Sequence, residues 1–227
     1  MSNQAFAVRP VGHCFQLVPL PIQSTPTPTP TPCIDEESLC VQQLQNFLNT
    51  IRPGGPFIPA GTNFGVSIFS GDFDLKSGFL DPTLNFNNQF ILSIFDDPTL
   101  TPPARVIVNL CQVGVIIVAI GMEEEQISRI IDSIPSTFNR CTNFHSLCTQ
   151  QLETAAATLI GEQVEIFSEN TNNISIDPTS LSVVLRGHRS TLRGVKPGII
   201  INSIRVAGQD LAIALSTCFI SSIQRVS

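Results

Sequence analysis

The sequence predicts a mainly β protein: two tandem homologous β-sandwich or jelly-roll-like repeats, with an extended N-terminal arm and a short helical linker. Three observations predict this fold class. Short segments rich in Val, Ile and Phe recur along the chain, Gly, Pro, Asp and Asn separate them, and one stretch of sequence is duplicated. Closely spaced strands with no regular helix between them favour a sandwich or jelly roll.

The duplication is the most informative feature. The string Cys33-Ile-Asp-Glu-Glu-Ser-Leu-Cys40-Val-Gln-Gln-Leu44 matches Cys141-Thr-Asn-Phe-His-Ser-Leu-Cys148-Thr-Gln-Gln-Leu152, at an offset of 141 − 33 = 108 residues. The offset continues without a gap through Ser67/Ser175 to Ile91/Ile199, and one residue is then lost, so that Cys111 matches Cys218 at 218 − 111 = 107. Six of the seven cysteines therefore fall into two equivalent triplets: Cys33, Cys40, Cys111 and Cys141, Cys148, Cys218.

These matches divide the chain into four segments. The arm, residues 1–32, ends in alternating Thr and Pro, which favour an extended polyproline II spacer. Repeat 1 covers 33–121, a linker covers 122–140, and repeat 2 covers 141–227. The linker carries Ile127, Ile130, Ile131 and Ile134 at helical spacing, so we expect a helix that ends before Pro135.

Within the repeats, apolar runs bounded by turn residues predict the strands. They are expected at 66–70, 89–95 and 105–111 in repeat 1, and at 163–168, 180–186, 198–202 and 210–220 in repeat 2. This assignment places Cys111 and Cys218 in the last strand of their repeats. Helical spacing predicts a short helix from Leu39 to Ile51, whereas 152–160 is compatible with a helix or a strand.

Composition excludes several classes of protein. The chain has 12 Lys+Arg against 18 Asp+Glu and a net charge of −6, which argues against nucleic-acid binding. The most apolar run, 106–120, is shorter than the roughly 20 residues of a membrane span, so no membrane insertion is expected. Residues 1–20 contain no recognisable secretory signal.

The cysteines leave several kinds of chemistry open. Disulfides and buried or free thiols are both compatible with the spacing, and disulfides would imply an oxidising location. Cys141, His145 and Cys148 could supply three metal ligands, but repeat 1 has Glu37 where His145 stands. We therefore expect no metal and no cofactor.

Catalytic motifs are not evident in the sequence. The three histidines, His13, His145 and His188, form no recognisable set with a nucleophile, and there is no Gly-x-Ser-x-Gly, phosphate loop or His-Glu-x-x-His. The sequence predicts a protein that is not an enzyme.

The arm carries apolar segments at 5–10 and 14–22, outside both repeats. Such an arm can add a strand to the sheet edge of a neighbour, where Cys14 could cross-link subunits. This organisation, with Cys14 in the arm and Cys111 and Cys218 in the last strand of each repeat, resembles that of the spore-surface proteins of endospore-forming bacteria, including the endospore-appendage family. The resemblance implies jelly-roll subunits that are linked by a Cys-bearing N-terminal connector in an oxidised shell. This chain departs from that family by having two repeats.

These features predict a structural protein that self-assembles into a fibre or surface layer, at an extracellular or spore or particle surface. Its expected partner is itself, with other surface-layer proteins as further candidates. The candidate disulfide or assembly residues are Cys14, Cys33, Cys40, Cys111, Cys141, Cys148 and Cys218. The alternative is a surface or virion module that binds a glycan or a protein, although Trp and Tyr, the usual sugar platforms, are absent.

Overall fold

The computed structural model describes residues 6–11, 14–19, 32–62, 64–70, 75–80, 91–97, 104–168, 175–176, 183–184 and 190–226. The chain forms two compact units, Met1–Pro32 and Cys33–Ser227. The first unit contains an antiparallel hairpin of β1 (Phe6–Val11) and β2 (Cys14–Pro19), paired from Phe6/Pro19 to Val11/Cys14. The two apolar segments of the arm therefore pair with each other.

The second unit combines α-helices with a large β-sheet. The helices are α1 (Glu36–Ile51), α2 (Glu124–Ser133) and α3 (Phe144–Ala157). Repeat 1 contains β3 (Gly65–Ser70), β4 (Leu75–Leu80), β5 (Ile91–Asp97), β6 (Ala104–Asn109), a 3-10 turn η1 (Leu110–Gln112) and β7 (Val113–Ala119). Repeat 2 contains β8 (Gln163–Ser168), β9 (Ser175–Ile176), β10 (Val183–Val184), β11 (Ser190–Lys196), β12 (Ile199–Val206), β13 (Gln209–Ser216), η2 (Thr217–Phe219) and β14 (Ile220–Arg225).

Ten of these strands form one antiparallel sheet, which confirms the mainly β class. The order is β14-β8-β11-β12-β13-β7-β3-β4-β5-β6, while β9 and β10 pair separately. Repeat 2 supplies the first five strands and repeat 1 the last five. The finer expectation, a jelly-roll-like sandwich in each repeat, is not confirmed, because the strands of both repeats join edge to edge.

Local sequence explains the helix boundaries. The side chain of Asp35 caps α1 by accepting the N–H of Ser38, and Asn143 caps α3 in the same way through Ser146. The linker helix α2 ends before Pro135, as its sequence predicts, and it begins with a capping box between Glu123 and Gln126. The segment left open at 152–160 is helical as far as Ala157. In the described part of the chain, no helix combines the length and apolarity needed to cross a membrane.

The strand β7 shows how the sheet separates two cores. Its side chains alternate between faces, as in any strand. Ile116 and Val118 belong to a cluster with residues of α1 and α2. Val115 and Ile117 belong to a second cluster, which includes Ala156 of α3. The long apolar run of repeat 1 therefore contributes side chains to the cores on both faces of the sheet.

Two sequence-based assignments near the ends of the repeats were wrong. Cys111 and Cys218 do not lie in a terminal strand; they lie in η1 and η2, after which the chain continues as β7 and β14. The physical reason in repeat 1 is that Asn109 caps the turn by accepting the N–H of Cys111, which splits a continuous apolar run. Of the strand expected at 180–186, only Val183–Val184 is described, and the rest lies outside the described residues.

The ungapped alignment of the two repeats also needs correction. By position in the sheet, β8 corresponds to β3, which matches Val66-Ser-Ile-Phe-Ser70 with Val164-Glu-Ile-Phe-Ser168 at an offset of 164 − 66 = 98. The Ser67/Ser175 match is therefore not structural. The segment between the helix and the first strand is longer in repeat 1, 52–64, than in repeat 2, 158–162. Later segments of unequal length restore the offset of 108 at Ile91/Ile199.

Candidate functional site: the junction between the repeats

The repeats meet where β13 pairs with β7. The register joins Ile213 to Ile117, Ala214 to Ile116 and Leu215 to Val115. All six side chains are buried. The contact is therefore a continuation of the sheet with a core on both faces, not a loose contact between domains.

Two disulfides connect repeat 1 to repeat 2. Cys33 bonds to Cys141, with 4.9 Å between their Cα atoms, and Cys40 bonds to Cys218, with 6.3 Å between theirs. The first bond joins equivalent positions of the duplication, whereas the second joins α1 to η2. Each bond closes a long loop and so restricts the unfolded chain.

The turn between β11 and β12 approaches α1 closely. Gly198 has φ of +81°, and a Cβ atom built on it would lie 3.2 Å from Cγ of Leu39 and 3.2 Å from Cα of Cys40. Leu39 is fully buried. A side chain at position 198 would both strain the turn and push repeat 2 away from α1, so glycine is required there.

A buried cluster of charges lies in the same region. Arg140 donates through Nη2 to Oε1 of Glu36 (2.5 Å), and through Nη1 to Oε2 of Glu153 (2.6 Å). Burial opposes the charge of Arg140, but the hydrogen bonds and charges of the two glutamates outweigh it and raise the pKa of the guanidinium. Glu153 also accepts the N–H of Gly198 at 2.7 Å and the hydroxyl of Thr217 at 3.2 Å. The cluster thereby fixes α3 to the same turn and to η2.

The remaining cysteines occupy different environments. Cys111 and Cys148 are free thiols, and both are exposed. Cys14 begins β2 in the arm, opposite Val11. The sulfur of Cys141 is bonded to Cys33, so Cys141, His145 and Cys148 do not form a set of three metal ligands. Glu36 lies close to the sulfurs of Cys40 and Cys218, but those sulfurs are bonded to each other and are not available as thiolates.

An open groove of about 610 Å³ runs along the N-terminal part of α1. Its polar residues include Asp35, Glu37, Ser38 and His145, and the thiol-bearing Cys111 lies on its wall. The N–H and hydroxyl of Ser38 donate to Asp35 and lower the pKa of that carboxyl. The groove thus presents acidic groups next to the Cys40–Cys218 disulfide.

Sequence reasoning missed the charge cluster. The duplication held the signal, because Arg140, Glu36 and Glu153 correspond at offset 108 to Pro32, Phe144 and Gln45. Charged residues that appear in only one copy of a duplicated segment mark a place where the two copies have different surroundings. Which groups these charges would meet could not be read from the sequence, since their partners come from distant segments.

No protein-family model, curated protein or solved structure matches this chain.

Proposed function

We propose that this protein is a non-enzymatic structural protein that assembles with copies of itself into a fibre or surface layer. One observation carries the proposal. In the described part of the chain, the ten-stranded sheet ends on both sides in a strand with a single neighbour, β14 at one end and β6 at the other. Open sheet edges pair readily with other chains, and proteins that remain monomeric usually protect them.

The cysteines support an assembly in an oxidising location. Two disulfides tie the repeats together, while Cys111 and Cys148 remain as exposed thiols that can react between subunits. Disulfides that persist are typical of extracellular proteins and of particle surfaces. The location that fits best is the surface of a spore or other particle, and the partners are further copies of this chain and other surface-layer proteins.

The arm is the proposed connector between neighbouring subunits. The arm forms a compact unit of its own, and Cys14 is the first residue of β2 in its hairpin. Exchange of this arm between copies, with a disulfide from Cys14, would bind subunits side by side. This role follows the resemblance to endospore-appendage proteins.

Negative-stain electron microscopy of the full chain, purified without reductant, tests the proposal. Regular fibres, sheets or rings are the expected result, and deletion of residues 1–24 is expected to leave folded protein that no longer forms them. A field of dispersed single particles at all concentrations would contradict self-assembly. If the truncated chain forms the same fibres, the arm is not the connector.

The groove beside α1 favours a second candidate function, a surface or virion module that binds a glycan or protein. Its acidic residues Asp35 and Glu37, with Ser38 and His145, would suit a polar ligand. Glycan-array screening of the dispersed protein distinguishes the two functions. Specific binding that Glu37→Gln abolishes, together with an absence of polymers, would favour the binding module.

A further inference from the structure

The two halves of the sheet contain equivalent strands in the same order. Read in one direction across the sheet, repeat 2 has β14-β8-β11-β12-β13 and repeat 1 has β7-β3-β4-β5-β6. The registers agree as well: Leu92 faces Val108 between β5 and β6, and Ile200 faces Leu215 between β12 and β13, where 200 − 92 = 108 and 215 − 108 = 107. β14 is therefore the counterpart of β7, and β6 is the counterpart of β13.

This equivalence predicts which strand each open edge of the sheet pairs with. Inside the chain, β13 of repeat 2 pairs with β7 of repeat 1. The counterparts of these strands, β6 and β14, are the two outer strands of the described sheet. If the same pairing is repeated between chains, β6 of one copy pairs with β14 of another. The register of this contact follows from the internal one when 107 is subtracted from each β13 residue number and added to each β7 residue number. It matches Val106 with Gln224, Ile107 with Ile223 and Val108 with Ser222.

The backbone of β14 is oriented for this pairing. Val226 donates its N–H to the carbonyl of Gln163 on β8, so position 226 points its backbone groups toward β8. In an antiparallel ladder, these groups alternate sides from one residue to the next. Ile223 and Arg225 therefore direct their N–H and C=O groups toward the open side. The counterpart of Ile223 is Ile116, which faces Ala214 across the internal junction.

The free thiols are also counterparts of a bonded pair. Cys40 and Cys218 form the disulfide beside the internal junction, one from α1 and the other from η2. Their equivalents are Cys148 in α3, at 148 − 40 = 108, and Cys111 in η1, at 218 − 111 = 107. Both are free thiols, and both are exposed. They lie on the elements that the repeated junction would bring together.

The apolar surface of α3 supports the same arrangement. Leu147 is 46% exposed, whereas its counterpart Leu39 is 0% exposed where α1 meets the turn of repeat 2. Phe144, at the start of α3, is 84% exposed. Large exposed apolar side chains beside an exposed thiol fit a surface that another chain covers.

We propose that copies of this chain join head to tail through a repeat of their own internal junction. β14 of one copy adds to β6 of the next, α3 packs against η1 of that copy, and Cys148 forms a disulfide with the partner's Cys111. This inference rests on the self-assembly proposed above and adds a second contact to that of the arm. Because the two surfaces differ, the contact is heterologous and produces an open filament, or a ring if the rotation closes.

The disulfide forms by a balanced exchange. The thiolate of Cys148 attacks a low-molecular-weight disulfide such as oxidised glutathione, which releases one thiol and leaves a mixed disulfide. The thiolate of Cys111 in the next copy then displaces the second thiol and forms the protein–protein S–S bond. In total, two protein thiols are oxidised and one glutathione disulfide is reduced to two thiols.

Cysteine variants of the full chain test the link directly. All carry Cys14→Ser to remove the arm thiol, and oxidised glutathione is the oxidant. On a non-reducing gel, the Cys14→Ser chain is expected to form a ladder of dimers, trimers and longer species, and peptide mapping is expected to find Cys111 linked to Cys148. Adding Cys111→Ser or Cys148→Ser is expected to remove the ladder.

A mixture of the two double variants gives the sharpest result. Only one Cys111–Cys148 bond can form per pair of chains, so a dimer and nothing longer is expected. The proposal is overturned if the mixture gives no such dimer, if either variant alone still forms the ladder, or if Cys111 and Cys148 are found linked within one chain. It is also overturned if wild-type protein links Cys14 to either thiol, because the arm then occupies the edge.

The strand contact is tested by Ile223→Pro against Ile223→Ala. Both substitutions remove the same side chain, but only proline removes the N–H that faces the open side of β14. The alanine chain is expected to keep the ladder and the proline chain to lose it, with similar melting temperatures. Equal ladders from the two variants would show that β14 is not paired.

Microscopy separates failure of this inference from failure of the proposed function. If the wild-type chain forms fibres that Cys148→Ser and Ile223→Pro leave unchanged, the head-to-tail junction is wrong and self-assembly stands. If neither wild-type nor variant chains assemble under oxidising conditions, both ideas fail together.

Discussion

The helices α1 and α3 have related sequences at their starts, yet they are buried to very different extents. Eleven residues of α1 are buried, against four of α3. α1 packs on η1 of its own repeat and on β13 and η2 of the other, whereas α3 packs mainly on β11 and η2 of its own. The additional cover on α1 comes from repeat 2 and from the linker helix α2. The exposed face of α3 therefore corresponds to the covered face of α1.

The largest expected loss of stability comes from breaking the charge cluster at the internal junction, compared with breaking an ion pair on the surface. Arg140→Met leaves the buried carboxylates of Glu36 and Glu153 without their cation, which is expected to cost about 3–5 kcal/mol of unfolding free energy. Urea denaturation followed by circular dichroism measures the change. Arg225→Met is the control, because Arg225 and its partner Glu162 are 63% and 43% exposed and the loss should be smaller. Equal losses would mean that the cluster contributes no more than a surface pair.

The difference in unfolding free energy between the bonded and the free cysteine pair is expected to be nearly as large. Cys40→Ser with Cys218→Ser removes a covalent bond between the repeats and is expected to lower the free energy of unfolding by about 2–5 kcal/mol. Cys111→Ser with Cys148→Ser removes two exposed thiols and is expected to leave the stability of the monomer unchanged. Guanidinium denaturation without reductant, at a concentration where the protein is dispersed, compares the two. A large loss from the second pair would mean that those thiols already stabilise the monomer.

The leucine pair tests burial at equivalent positions. Leu39→Ala empties a fully buried site and is expected to cost roughly 2–5 kcal/mol, while Leu147→Ala at the half-exposed site should cost the monomer less than that. Thermal melts of dispersed protein measure both. The ranking of the two variants should change when assembly is measured instead of monomer stability. Leu147→Ala is then expected to weaken the polymer and raise the concentration at which it forms. A Leu147→Ala chain that assembles normally would argue against α3 as a contact surface.

The smallest expected effect concerns the two helix caps, which should be alike despite their different surroundings. Asp35→Ala and Asn143→Ala each remove an acceptor for a helix N–H and are each expected to cost about 1 kcal/mol. They should differ in pH dependence. Since the folded-state pKa of Asp35 is lowered, its contribution is present at neutral pH and is lost as the pH falls through that pKa.

An acid series of denaturation curves checks this difference. The cost of Asp35→Ala should decrease toward low pH, while the cost of Asn143→Ala, which removes no titrating group, should stay constant. Parallel pH profiles for the two variants would show that the cap of α1 does not depend on the charge of Asp35.

The sequence alone determined the local and periodic features of this protein. The duplicated cysteine string, the mainly β class, α1, the linker helix that ends before Pro135, and strands such as β3 and β8 all follow from short-range patterns. Such features depend on capping, turn residues and hydrophobic periodicity, which act over a few residues. The sequence also fixes the charge of the chain, which is weakly acidic and contains very few lysines.

Only the tertiary structure decided which distant groups meet. It paired Cys33 with Cys141 and Cys40 with Cys218, aligned β13 with β7, and brought Arg140 to Glu36 and Glu153. It also showed that η1 and η2 interrupt what the sequence presents as single apolar strands. These outcomes depend on the packing of segments up to 178 residues apart. A local pattern is compatible with many such pairings, and the core and the sheet select one of them.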